Sequence, residues 1–104
     1  MQNLFADIPA QLPAELFDTL FESPAVQIER IVSKGHTSPA TGWYEQDRNE
    51  WVVLLQGAAR LVFEDDREIE MSPGDWLEIP ACRKHRVAWT DPEQVTIWLA
   101  VHYP

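Results

Sequence analysis

Two stretches decide the fold: Trp43-Tyr44-Glu45-Gln46-Asp47-Arg48-Asn49-Glu50-Trp51-Val52-Val53-Leu54-Leu55-Gln56-Gly57 and Gly74-Asp75-Trp76-Leu77-Glu78-Ile79-Pro80-Ala81-Cys82-Arg83-Lys84-His85. In the first, Glu50 opens a run that is otherwise apolar on both faces, with Val52 and Leu54 alternating with Trp51, Val53 and Leu55. That pattern is a buried strand with a carboxylate at its end, and a buried charge needs a partner. The second stretch follows Pro73-Gly74, the clearest turn in the chain. Proline presets the first central φ of a type II turn, and glycine accepts the positive φ of the second. A strand is expected to start at Asp75 or Trp76, and another at His85 after the loop 80–84.

Outward from these stretches the chain alternates with period two. Short strands are expected at 25–34, 43–46, 50–56, 58–64, 68–71, 76–79, 85–89 and 95–103, with 58–64 as the hairpin partner of 50–56 across Gly57. Many short strands at close spacing imply a sandwich or barrel. Ahead of them, residues 13–22 place Leu16 with Leu20 and Phe17 with Phe21, each pair four apart, behind Pro13 and among acids. This spacing predicts a short amphipathic helix that stops at Ser23-Pro24. The expected organisation is a helical lead over 1–25 and a barrel domain over 26–104.

With 104 residues the chain has room for one domain. Its 8 basic against 17 acidic side chains leave a formal charge of −9, which disfavours nucleic acid and anionic membrane surfaces as partners. Cys82 is the only cysteine, so neither an intrachain disulfide nor a cysteine zinc cage can form. No basic segment leads into a long apolar run, and no stretch approaches the roughly 18 apolar residues of a membrane span. A cytoplasmic protein is expected.

The two stretches resemble the motifs of the cupin superfamily. The first cupin motif runs glycine, five residues, His-x-His, three or four residues, glutamate, six residues, glycine. The second runs glycine, five residues, Pro-x-Gly, two residues, histidine, three residues, asparagine. Glu50 and Gly57 stand at the glutamate and closing glycine of the first; Gly74, Pro80 and His85 match the second. The two motif histidines are replaced, by Tyr44 and Gln46 with a three-residue gap or by Trp43 and Glu45 with a four-residue gap. The first alignment is preferred because it turns Glu45 away from the pocket, opposite Tyr44 and Gln46. Ser38 replaces the opening glycine, Cys82 the glycine of Pro-x-Gly, and Trp89 the final asparagine. Within the superfamily the chain resembles small single-domain cupins of generally unknown function.

The resemblance implies an all-β fold, an antiparallel jelly-roll barrel that is often a homodimer, with a divalent metal in its mouth. Known members include dioxygenases, isomerases, epimerases, sugar or auxin binders and storage proteins, so the fold selects no reaction. Here Gln46, Glu50 and His85 would hold the ion. One imidazole and two oxygens suit zinc, manganese, iron(II) or nickel better than copper(I). Tyr44 is expected to line the pocket as a hydroxyl donor. On the last strand Trp98, Ala100 and His102 share one face; if it points inward, His102 approaches the site, and otherwise it lies at the rim or a dimer contact. Cys82 is expected to be a packed thiol and His36 to meet solvent. The expected function is binding of, or action on, a small molecule at a metal. The alternative is a metal-free cupin that binds an apolar ligand or serves as an interaction module, motivated by the two lost histidines and the five tryptophans.

Overall fold

Period-two alternation governs the chain from Leu16 onward. The computed structural model describes residues 1–104 and contains eight strands: β1 (Leu16–Glu22), β2 (Gln27–Ser33), β3 (Asn49–Gln56), β4 (Ala59–Phe63), β5 (Glu68–Met71), β6 (Trp76–Ile79), β7 (His85–Thr90) and β8 (Thr96–Tyr103). They form a five-stranded sheet in the order β1-β2-β8-β3-β6 and a three-stranded sheet in the order β5-β4-β7. Every pairing is antiparallel.

The core lies between the two sheets. Val52 and Leu54 of β3, Ala59, Leu61 and Phe63 of β4, Met71 of β5, Ile79 of β6, and Trp98 and Ala100 of β8 form one buried cluster. Each strand contributes alternate residues to it, as the pleat requires. The inward file of β3 therefore reads Glu50, Val52, Leu54, and that of β8 reads His102, Ala100, Trp98, in cross-strand register.

The expected helix over 13–22 is absent. Residues four apart share a face of a strand as well as of a helix, because four is an even number, so the Leu16/Leu20 and Phe17/Phe21 pairs do not discriminate between the two. A lone helix of ten residues is marginal, whereas β2 offers an edge with which to pair. Leu16 pairs with Val32 and Phe17 with Ile31, and a register shift lies between Thr19 and Phe21. Ahead of β1 the N-terminal segment crosses the outer side of the sheet, held by buried Arg30. That guanidinium donates to the carbonyls of Leu4 and Ala6 at 3.1 and 2.6 Å and pairs with Asp18 at 2.6 Å.

Two other expectations change. The segments on either side of Gly57 do not pair as a hairpin, since β3 and β4 belong to different sheets. Gly57 turns the chain from one sheet to the other at φ +94°, pressed so closely on β8 that a Cβ would lie 2.6 Å from Thr96 Cα. Residues 43–46 form no strand but a single bridge, Tyr44 to His85. The Pro73-Gly74 turn is present: Gly74 has φ +94° and the Asp75 N–H donates to the Ser72 carbonyl at 2.9 Å.

Candidate functional site

At one end of the barrel the inward files finish on ionisable side chains. Glu29 of β2, Glu50 of β3, His85 of β7 and His102 of β8 all line a cavity of about 100 Å³, with Tyr44, Gln46, Ser38 and Glu15 on its polar wall. Ile31, Val52, Leu61, Ile79, Val87 and Trp98 form its apolar part, and Phe17 of β1 completes the lining. A water occupies roughly 10–15 Å³ by this measure, so the cavity holds several waters or a small ligand.

Residues distant in sequence meet here because the loop before β7 is stitched to the segment before β3. Tyr44 and His85 exchange backbone hydrogen bonds of 2.8 and 3.1 Å, and the Cys82 N–H donates to the Gln46 carbonyl at 2.6 Å. Cys82 itself has φ +65°, the left-handed conformation that suits glycine, which fits its place at the motif's turn glycine. Its thiol is exposed, not packed as expected.

The His85 ring is oriented by its own loop. Its Nδ1 lies 2.9 Å from the Arg83 carbonyl, an obligate acceptor, so Nδ1–H donates and the neutral ring carries its lone pair on Nε2. That Nε2 faces Glu50 Oε1 at 3.7 Å, beyond hydrogen-bond reach, with both side chains almost fully buried. The pair leaves a gap between an imidazole nitrogen and a carboxylate, with Gln46 on the same cavity wall. This arrangement fits a divalent cation: two firm donors, a neutral amide, and an imidazole whose second nitrogen is fixed by a carbonyl as metal-bound histidines usually are. It is a reduced set, since nowhere do three or more His, Cys, Asp or Glu side chains gather as a cage.

His102 does turn inward, and its Nε2 is engaged by Glu29 Oε1 at 3.0 Å. The bond to Glu29 raises its pKa above the ordinary histidine range against the lowering effect of burial, and Glu50 adds to the rise. His102 Nδ1 and Trp98 Nε1 are buried without a hydrogen-bond partner, each a cost of about 1–3 kcal/mol. The Tyr44 hydroxyl shares a short hydrogen bond with Ser38 Oγ. Burial is the main reason its pKa lies above the ordinary tyrosine value, with Glu15, Glu50 and Glu29 adding to the rise and the Ser38 bond opposing it. Tyr44 is thus a neutral hydroxyl.

The structure brings all five sequence-selected residues, Tyr44, Gln46, Glu50, His85 and His102, to one cavity, while Glu45 is exposed. Of the five tryptophans only Trp98 lines it. Sequence reasoning missed Glu15, Glu29 and Ser38. Glu29 was findable: it shares parity with Ile31, and Gln27, Glu29 and Ile31 register with the inward residues His102, Ala100 and Trp98. The prominence of Val26, Ile28 and Val32 on the opposite parity hid it.

The family description "Cupin domain" matches residues 30–102, and the chain belongs to this family. A solved protein from Ralstonia eutropha, described as a "putative mannose-6-phosphate isomerase", is 47% identical, with 99% of this chain and 96% of that one covered at a TM-score of 0.93. A cupin superfamily protein from Desulfitobacterium hafniense is 25% identical, covering 92% and 83% of the two chains at a TM-score of 0.76. A Methanocaldococcus jannaschii cupin with a double-stranded β-helix fold is 18% identical over 94% and 87% at 0.73, a likeness of fold alone. No curated protein matches the chain.

Proposed function

We propose that this cupin binds a small molecule in its barrel mouth at a divalent cation held by Glu50 and His85, with the Gln46 amide as a third donor. The observation that carries this reading is the 3.7 Å gap between buried His85 Nε2 and Glu50 Oε1, which no hydrogen bond closes. Zinc, manganese, iron(II) or nickel suit that mixed nitrogen and oxygen set. When bound, such an ion supplies Lewis-acid polarisation of a ligand oxygen. The chain's own residues do the rest. Tyr44 presents a neutral hydroxyl, Glu29 holds the His102 proton in the wall, and the apolar lining keeps bulk water away from the buried donors.

A second reading is favoured by a different observation. Tyr44 and Gln46 occupy the places of two family histidines and no cage of three ionisable donors forms. A metal-free cupin would use the same cavity for an apolar ligand or serve as an interaction module. A sugar phosphate enters only through the description of the Ralstonia relative. The protein is also proposed to be cytoplasmic and a homodimer. Support for the dimer comes from Phe17, Leu20 and Phe21, all about half exposed on the sheet's edge strand, and sedimentation velocity tests it.

Elemental analysis of tag-free protein tests the metal. Near-stoichiometric metal is expected in the wild type, with affinity falling by more than about 100-fold in His85→Ala, since even outer-shell partners are worth 10–100-fold. Absence of metal in both proteins after reconstitution overturns the reading in favour of the metal-free alternative.

A further inference from the structure

We infer that the barrel mouth selects a small polyhydroxyl compound that carries no phosphate or other anionic group. The inference rests on the mouth being a ligand pocket, and it names what enters. Three carboxylates, Glu15, Glu29 and Glu50, face a cavity whose walls include no lysine or arginine. Phosphate groups are recognised by guanidinium forks, ammonium groups or the N–H groups of a helix N-terminus. The fold contains no helix. Arg48, the cation nearest in influence to His102, stands outside the cavity wall with its guanidinium donating to Gln27 Oε1 at 3.1 Å. A phosphate dianion would therefore meet glutamates in a setting that screens them poorly. A cation between Glu50 and His85 offsets part of that charge, and the one other proton-holding cation on the wall, His102, already has its Nε2 engaged by Glu29 at 3.0 Å, so three carboxylates still outnumber the positive groups a phosphate would meet.

The hydrogen-bonding inventory says what fits instead. Each carboxylate offers about four acceptor sites. Glu15 takes one bond from Ser33 Oγ and Glu29 one from His102, so acceptors outnumber the donors around them. An ammonium group would satisfy the carboxylates but, having no acceptor, would leave the Trp98 indole N–H without a partner. Hydroxyls answer both needs, because each donates to a carboxylate and accepts from an N–H or O–H. The apolar wall of Val52, Leu61 and Trp98 then receives the C–H face of such a molecule.

The Trp98 indole N–H gives a direct readout in ¹H–¹⁵N NMR, assigned with Trp98→Phe. The probes are mannose, mannitol and mannose 6-phosphate, the first and last differing only by the phosphate, each titrated into metal-free and zinc-loaded protein. At least one neutral probe is expected to shift the Trp98 resonance saturably, with mannose 6-phosphate at least about tenfold weaker. In Glu15→Gln, which leaves Glu50 and His85 untouched, that gap is expected to narrow. Binding of mannose 6-phosphate as tight as that of the neutral probes, or no shift from any probe, overturns the inference. Sugar selectivity in a wild-type protein that takes up no cation would count against the metal assignment alone. Cation binding without any sugar response would count against the polyhydroxyl ligand alone.

Discussion

The two ends of the barrel are made by the same strands and are built on opposite terms. At the closed end β3 contributes Leu54 and β8 contributes Thr96, both fully buried, with Ala59, Met71 and Thr90 beside them. Its polar atoms are satisfied by backbone: Thr96 Oγ1 donates to the Ala58 carbonyl at 3.3 Å and Thr90 Oγ1 to the His36 carbonyl at 2.7 Å. At the open end the same files place Glu50 and His102, and β2 and β7 add Glu29 and His85. Those groups answer one another across the cavity or, like His102 Nδ1, answer nothing. Buried hydroxyls at one end thus close on backbone, whereas at the other Glu29 and His102 bond side chain to side chain.

The largest effect that separates the ends belongs to Leu54. It is fully buried and faces Trp98 across the β3–β8 ladder. Leu54→Ala is expected to destabilise the protein by about 2–5 kcal/mol, because the surrounding sheets collapse only partly into the space left. Urea unfolding measures this. A loss below about 1 kcal/mol would show that the closed end is not the seat of stability, since deletions in a packed core cost more.

Glu50→Gln should move stability in the opposite direction. Glu50 is a buried carboxylate whose only ionic contact is His85, at a distance too long for a hydrogen bond. Removing its charge removes a desolvation cost, and no hydrogen bond to His85 is lost with it. A gain of about 0.5–2 kcal/mol in the presence of EDTA is expected. Cation binding should fall in the same variant. A destabilised Glu50→Gln protein would mean that the open end holds the fold together after all.

The contrast between the ends also explains what was legible in the sequence. Strands β3 to β8 could be read because their buried faces alternate cleanly and their turns carry glycine and proline. That Gln46, Glu50 and His85 share one cavity could be read because motif spacing encodes the strand ends that the fold brings together. Strand β1 could not, since apolar residues four apart satisfy both periodicities and its partner β2 is chosen by tertiary pairing. The β3–β4 hairpin was misread for a related reason. A glycine between two apolar runs signals a reversal, but the contact of Gly57 with Thr96 that sends β4 into the other sheet lies 39 positions along the chain. Glu15 escaped notice because its place in the pocket depends on Ser33, a partner 18 residues away.

The smallest of the expected effects concerns the His102–Glu29 pair. His102 has its pKa raised above the ordinary 6.5, first by the Glu29 hydrogen bond. A group that binds its proton more tightly when folded contributes stability that is complete below its unfolded pKa and is lost as pH rises through the folded value. The melting temperature of metal-free protein should therefore decline as pH climbs from the unfolded histidine range through the raised one. Glu50 adds to the proton's retention and Arg48 opposes it, so the slope reports the balance of all three neighbours. Glu29→Gln should flatten that decline, since the amide no longer favours the imidazolium, while Leu54→Ala should lower the whole curve and leave its slope intact. If Glu29→Gln keeps the wild-type slope, the proton that stabilises this end of the barrel is held elsewhere, and the division between a titrating open end and an inert closed end fails.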